Sequence, residues 1–262
     1  FHAVPAGQHQ QKGRQGRPWS NAPGSSLMCS LALPLAPRDW SGLSLAVGVA
    51  MAQALQPTDP NAALRIGLKW PNDLWLTDDR KLGGILIETA NLPQARRGER
   101  YVIIGMGVNI QPPAASGSWA TRPASLQELD PRWSAPLALA QLLPLVVRQV
   151  LEFADTGFAA CVASFARLDL LRGRWVHTSD GIVGQALGVG PDGALHIQTE
   201  HGVQTIHSAE VSVRPQNMPL PCTARNDHAA PSSDFVVCCQ PGLRRLGAGL
   251  ACGSGLGPQP YQ

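Results

Sequence analysis

The sequence predicts an α+β or mixed-sheet α/β protein, its larger domain followed by a small all-β domain or barrel. Three observations predict it. Apolar and polar residues alternate in short runs between residues 26 and 109, the period of half-buried strands. A long helical stretch follows from about Ala135 to Leu168, and strands segregated from helices mark this class. Residues 172 to 214 then carry short β-like runs separated by Ser179-Asp180-Gly181 and Pro191-Asp192-Gly193, turn signals at the spacing of a small barrel.

Residues 8 to 24, rich in Gly, Gln, Arg and Pro, read as an exposed loop. Ser26 to Leu35 is a strand with Leu27, Cys29, Leu31 and Leu33 on one face. Ser41 is the expected cap of a helix running to about Gln56, with Leu43, Val47, Ala50, Met51 and Ala54 as its buried face and Pro57 as its stop. From Leu64 to Trp70 the alternation returns, with Leu64, Ile66, Leu68 and Trp70 on one face and Arg65, Gly67 and Lys69 on the other. With the first set in the core, Lys69 is presented on the opposite face at the end of the strand. Asp73 to Leu76 and Leu82 to Thr89 form a hairpin around Thr77-Asp78-Asp79-Arg80, and Tyr101 to Asn109 supplies another strand. A Pro- and Ser-rich loop, 111 to 124, leads to a short helix near Leu126 and to the long helical segment, which Pro144 is expected to bend or divide. The β-like runs beyond it are Arg174 to His177, Ile182 to Val189, Ala194 to Thr199 and Val203 to Ser208.

This gives one large domain over residues 1–170, a small β domain over 171–216, and a tail, 217–262, whose aperiodic Pro, Ser, Gly and Cys content reads as disordered or as an out-of-frame extension. The apolar fraction of 44% with 15% charged residues excludes a wholly disordered chain. The runs Leu43 to Leu55 and Leu137 to Val147 are too short or interrupted for a bilayer of about 30 Å, and no secretory leader is seen; no membrane partner and a cytoplasmic location are the expectation. None of the six cysteines has the spacing of a Cys-x-x-Cys metal pair, and buried or incidental thiols are expected rather than a disulfide framework or a metal site. A net charge of +3, with scattered basic residues, gives no support for a nucleic-acid partner. Of 21 Lys plus Arg, only three are lysines, at 12, 69 and 81, and all three lie in candidate site segments. The compact ammonium is thus concentrated where chemistry is suspected.

Four segments are candidates. In Lys12-Gly13-Arg14-Gln15-Gly16-Arg17-Pro18-Trp19 the glycines expose backbone amides and the Arg forks suit phosphate or carboxylate, though a solvated loop carries the same composition. In Lys69-Trp70-Pro71-Asn72-Asp73 the chain turns just after presenting Lys69; an Asx-type turn and a site for an anion and an incoming amine are both open. Lys81-Leu82-Gly83-Gly84-Ile85-Leu86 pairs a lysine with glycines that vacate space a ligand needs, and Gly105-Met106-Gly107-Val108-Asn109 repeats the device, with tight sheet packing as the alternative.

In this order, with a small β domain after them, these motifs resemble the biotin protein ligases over roughly residues 8 to 214, and Lys-Trp-Pro-Asn-Asp is highly specific among them. The resemblance implies a class II synthetase-like biotin/lipoate ligase catalytic domain, an SH3-like C-terminal domain, and a two-step reaction. Biotin and Mg2+-ATP would give biotinyl-5'-adenylate, which would acylate a lysine of the biotin carboxyl carrier protein of acetyl-CoA carboxylase. It also implies the site. Lys12, Gly13 and Arg14 would belong to the loop that closes over biotin and its adenylate, with Gln8, Arg17 and Trp19 also among the binding residues. Lys69 would contact biotin, and Lys81 would bridge its carboxylate and the α-phosphate. Asn72 and Asp73 would organise the adenylate and the acceptor lysine. Gly83, Gly84 and Ile85 would line the biotin pocket and Asn109 would lie near the nucleotide. Arg14, Lys69, Asp73 and Lys81 would be the catalytic set. Where the family loop reads Gly-Arg-Gly-Arg-x-Gly-Arg, this chain has Gln11 and Lys12 at the first two positions. The Gly/Arg-rich motif begins within a dozen residues of Phe1 and the family's Ser-Thr-Asn segment is not found before it, so the catalytic domain is expected to be truncated at its start; the winged-helix domain of the family's repressor members is not found either, which leaves DNA binding without support. A lipoate or octanoate ligase of the same fold, an inactive adenylate- or carrier-binding fragment, and a homodimer stay open.

Overall fold

The computed structural model describes residues 11–12, 18–19, 24–57, 63–90, 99–112, 121–207 and 212–215, of which 11–12 and 18–19 are described by backbone alone. These belong to one compact unit, Phe1–Pro219; the second unit, Leu220–Gln262, lies outside the described residues, and so does the expected tail.

Strands β1 (Gln11–Lys12) and β2 (Pro18–Trp19) form a two-stranded ribbon. The main sheet contains β3 (Ser26–Leu35), β4 (Ile66–Lys69), β5 (Asp73–Leu76), β6 (Lys81–Ala90) and β7 (Arg100–Asn109) in the order β3-β7-β6-β5-β4. The α+β class holds, and the alternating runs form strands close to their expected bounds. Every strand pair in the sheet is antiparallel. The mixed character expected of it reduces to two isolated parallel bridges, Leu68 with Asp169 and Lys81 with Pro123.

The first bridge closes the sheet's edge. Leu170 N–H donates to Leu68 O at 2.9 Å, and a Cβ on Gly67 would meet the Leu170 side chain and the Leu168 carbonyl. The face of β4 that the alternation assigns to Arg65, Gly67 and Lys69 is therefore covered along the strand itself, and all four of its residues are buried. An edge covered in this way offers no template for pairing with another chain.

Helix α1 (Leu43–Leu55) packs on the sheet through β4 and β6 and on its other side against helix α2 (Ala135–Thr156). Buried on both sides, α1 hides Leu45, Ala46, Gly48, Val49 and Ala52 as well as the expected stripe, of which Ala54 is only partly buried. Its small residues let strands approach: a Cβ on Gly48 would lie 3.1 Å from Leu68 Cδ2. The cap is Gly42, not Ser41. Gly42 has φ 80°, and a Cβ there would overlap the Phe158 ring at 2.5 Å, so only glycine fits. Ser41 N–H is instead taken by the Asp39 carboxylate at 2.9 Å.

Ser134 caps α2 by accepting from Leu137 N–H, and Ala138, Leu142, Val146, Val150 and Phe153 form its buried stripe. By length and composition this helix could cross a bilayer, which the shorter run read from the sequence did not bring out. Pro144 lies within α2 on its exposed side and does not divide it. The break falls at Gly157, φ 65°, after which a 3-10 turn, Phe158–Cys161, leads to α3 (Val162–Leu168).

The second sheet comprises β8 (Trp175–Thr178), β9 (Val183–Val189), β10 (Leu195–Thr199), β11 (Gly202–Ile206) and β12 (Val213–Pro215), antiparallel in the order β11-β10-β9-β8-β12. The turns at Gly181 (φ 94°) and Gly193 (φ 77°) join its strands where the sequence places them, while β12, three residues ending on Pro215, has no such signal. Val176, Ala186, Leu195, Ile197 and Val213 fill its core. It is joined to the β4–β5–β6 region by Trp70 Nε1–H, which donates to Gly193 O at 3.0 Å, and by Arg174, which grips Asp79 through two hydrogen bonds of 2.6 and 2.8 Å.

Candidate active site

The face of the main sheet opposite α1 carries the site. Leu68, Leu74 and Ile85 point into the core, so the residues alternating with them point the other way. Register then lines up one row across the sheet: Lys69 opposite Asp73, Asp73 opposite Gly84, Gly84 opposite Gly107, and Gly107 opposite Met28. Residues opposed across strands share a face. The row therefore starts with charge and continues as a floor of two glycines.

Asp73 is the hub. Lys81 Nζ donates to its Oδ1 at 2.6 Å, and Lys69 Nζ lies 3.8 Å from its Oδ2. Two of the chain's three lysines thus meet on one carboxylate. Lys69 is 8% exposed and its Nζ stands 5.1 Å from the Trp75 ring centroid, a cation–π contact that helps hold a largely desolvated ammonium. Trp75 was not singled out in the sequence; it stands two residues beyond Asp73 on β5 and so shares its face. Its indole Nε1 is buried with no hydrogen-bond partner among the described residues.

Neighbouring glycines divide the work. A Cβ on Gly83 would drive into the Gly107 carbonyl oxygen, so this glycine serves close strand packing. On Gly84 a Cβ would come no nearer than 3.4 Å to Asp73 Oδ1 and 3.5 Å to Lys81 Nζ, so it borders the charged group with room to spare. Ile85 turns its side chain into the core, 3.5 Å from where a Gly48 Cβ would stand, and meets the site through its backbone. There Asn72 Nδ2 donates to Ile85 O at 2.6 Å and Ile85 N–H donates to Asn72 O at 2.9 Å, which fixes the turn. Asn109 Nδ2 donates to Ala124 O at 2.9 Å and approaches Lys81 O at 3.5 Å, a tie to the backbone beside Lys81. Gln8, Gly13, Arg14 and Arg17 lie outside the described residues, as do the side chains of Lys12 and Trp19.

The thiols stand apart from this chemistry. Burial pushes Cys29 up to about 11, and it also raises Cys161. Among the described residues no three His, Cys, Asp or Glu side chains converge to hold a metal.

A sheet that sets two ammoniums and a carboxylate at the head of a glycine floor belongs, by fold and by motif, to the biotin/lipoate ligase class. The model of the biotin/lipoate A/B protein ligase family matches residues 3–109, and that of the biotin protein ligase C-terminal domain matches residues 176–214. The chain is 30% identical over 215 residues to the biotin–[acetyl-CoA-carboxylase] ligase of Paracoccus denitrificans, covering 76% of this chain and 85% of that one. To the bifunctional ligase/repressor BirA of Escherichia coli (strain K12) it is 31% identical over 219 residues, covering 79% of this chain and 64% of that one. The biotin protein ligase from Aquifex aeolicus, solved in complex with biotin and ATP, superposes with a TM-score of 0.65 at 25% identity, over 80% of this chain and 86% of that one. The chain belongs to the biotin protein ligase family. It spans 64% of the length of the Escherichia coli and Salmonella typhimurium relatives and 29% of the human one.

Proposed function

We propose that the protein is an ATP-dependent biotin protein ligase that makes biotinyl-5'-adenylate and transfers the biotinyl group to a lysine of a biotin carboxyl carrier protein, that of acetyl-CoA carboxylase. The observation that carries the proposal is the convergence of Lys69 and Lys81 on Asp73 at the head of the Gly84–Gly107 row. In the first step a carboxylate oxygen of biotin attacks the α-phosphorus of ATP and pyrophosphate leaves. Two anions must meet, and Lys69, which is buried, and Lys81, which is half-buried, offset their repulsion. In the second, the amine of the acceptor lysine attacks the acyl carbon and AMP leaves. Asp73, placed between the two ammoniums, is the base that takes the amine's proton.

Asn72 holds the turn that presents Asp73, and Asn109 the backbone that presents Lys81. On the strength of the family resemblance, Lys12, Gly13 and Arg14 are assigned to the loop over biotin and its adenylate, and Gln8, Arg17 and Trp19 to the remaining binding contacts. Asp73 does not fit a resident metal, since two cations already flank it. In this proposal Mg2+ accompanies the ATP phosphates, and no step is assigned to it. The test is to incubate the purified chain with biotin, α-labelled ATP and a carrier domain. Labelled adenylate and a biotinylated carrier are expected, with octanoate and lipoate poor substitutes for biotin. A folded sample that forms no adenylate contradicts the proposal.

A further inference from the structure

The backbone of Lys81 is held by a segment with no place in the chemistry so far. On one side Lys81 pairs with Trp75 of β5. On the other, residues 122–124 replace a strand: Lys81 N–H donates to Arg122 O at 2.8 Å, and Ala124 N–H donates to Lys81 O at 2.8 Å. That segment is anchored in turn by the next residue, Ser125, whose side chain is buried. Glu128 accepts from Ser125 N–H at 2.8 Å and from Ser125 Oγ at 3.1 Å, a reciprocal cap on the turn Leu126–Glu128. The second oxygen of Glu128 accepts from Arg80, the residue preceding Lys81, and Arg80 also binds Asp78 at 2.9 Å. The net effect of these contacts holds the Glu128 carboxyl below, and the Arg80 guanidinium above, their ordinary ranges, so the pair stays charged near neutrality.

We propose that Glu128, through Ser125 and Arg80, is a positioning residue for Lys81: it fixes the main chain on both sides of the lysine and so aims the ammonium at Asp73 and the reacting anions. This rests on the ligase reading for its kinetic consequence but not for its geometry. A side chain aimed from a clamped strand loses little when its ligand arrives, and a displacement of about 1 Å at such a group costs up to about a hundredfold in rate.

The test is a double-mutant cycle with Glu128→Ala and Lys81→Ala, read as adenylate formation at saturating biotin and ATP, alongside Glu128→Gln and a crystal structure of Glu128→Ala. Glu128→Ala is expected to lower kcat about tenfold with a smaller change in KM. Glu128→Gln, which still accepts from Ser125, recovers part of that loss. In the Lys81→Ala background, removing Glu128 has no further effect, because the group it positions is gone. In the crystal, Lys81 Nζ leaves Asp73. Losses that multiply independently in the double mutant overturn the proposal, since a merely structural cap would act in either background. Retention of the 2.6 Å contact in Glu128→Ala overturns it whether or not the chain makes adenylate. Absence of adenylate from the wild-type chain strikes the ligase reading alone, and the crystal then decides this one.

Discussion

On one face of the main sheet, Leu31, Ile66, Leu74, Ile85 and Ile104 are packed in the core beneath the helices. On the other, the same strands set out Lys69, Asp73, Lys81 and two glycines. A one-residue step along β5 or β6 moves from one world to the other. The core face tolerates no polar group but fixes the pleat, and the pleat brings three charged side chains from three strands within 4 Å of contact. Substitutions on the two faces should therefore fail differently, the first through folding and the second through chemistry.

The largest effect is expected from Lys81→Ala. Removing a cation placed against developing and existing negative charge should slow adenylate formation on the order of a thousandfold, about 4 kcal/mol, while Tm stays near that of the parent. Single-turnover adenylate kinetics with thermal melts measure both, and a loss of Tm that matches the loss of rate would blur the division between faces. Ile104→Ala, fully buried on the core side, should cost about 3 kcal/mol in denaturant unfolding and leave activity per folded molecule intact.

The two adjacent glycines sharpen the comparison. Gly83→Ala pushes a methyl into the backbone of β7 and should lower stability by about 1–3 kcal/mol. Gly84→Ala should fold normally and weaken biotin binding in calorimetry, since its methyl projects beside Asp73 and Lys81. Equal behaviour of the two variants would mean that the glycine pair serves a single purpose.

Smallest is the expected effect of Arg174→Ala, which unties the second sheet from the hairpin turn at a partly exposed ion pair, about 0.5 kcal/mol after solvent screening. Hydrogen bonds from Arg174 hold the Asp79 carboxyl below its ordinary range. The contribution is therefore present above the ordinary carboxylate value of about 4 and is lost as pH falls through the lower folded value. The gap in stability between parent and variant should be open at pH 7 and closed in strong acid, as urea unfolding at both pH values would show.

How much of this was legible in the sequence follows from the range of each interaction. The strands were legible because alternation is local, and register needed only the short hairpin at Thr77–Arg80 to bring Lys81 back beside Asp73. Lys69, Asp73 and Lys81 are thus placed near one another by the sequence pattern alone. The all-round burial of α1 was not legible, because Ala46, Gly48 and Ala52 carry no strong apolar signal and are hidden by what packs on them. Ser41 looked like a cap, but Gly42 is selected by the distant Phe158 ring. Pro144 looked like a break, but an exposed proline in a helix packed along its other side is tolerated, and the chain turns at Gly157. The resemblance alone placed Ile85 among the biotin-pocket residues; that its side chain packs toward α1 while its backbone ties to Asn72 is tertiary information. Ser125 and Glu128 have the spacing of a cap, Ser-x-x-Glu, that sequence can show. That the cap abuts Lys81, more than 40 residues earlier, is tertiary information.

The central claim is that the face bearing Lys69, Asp73 and Lys81 is where biotin meets the α-phosphate. A crystal structure of the chain with biotin and a non-hydrolysable ATP analogue tests it most directly. Biotin should lie over the Gly84–Gly107 floor, with its carboxylate and the α-phosphate both within hydrogen-bond reach of Lys81. Biotin bound on any other surface, with Lys81 still closed on Asp73, would contradict it.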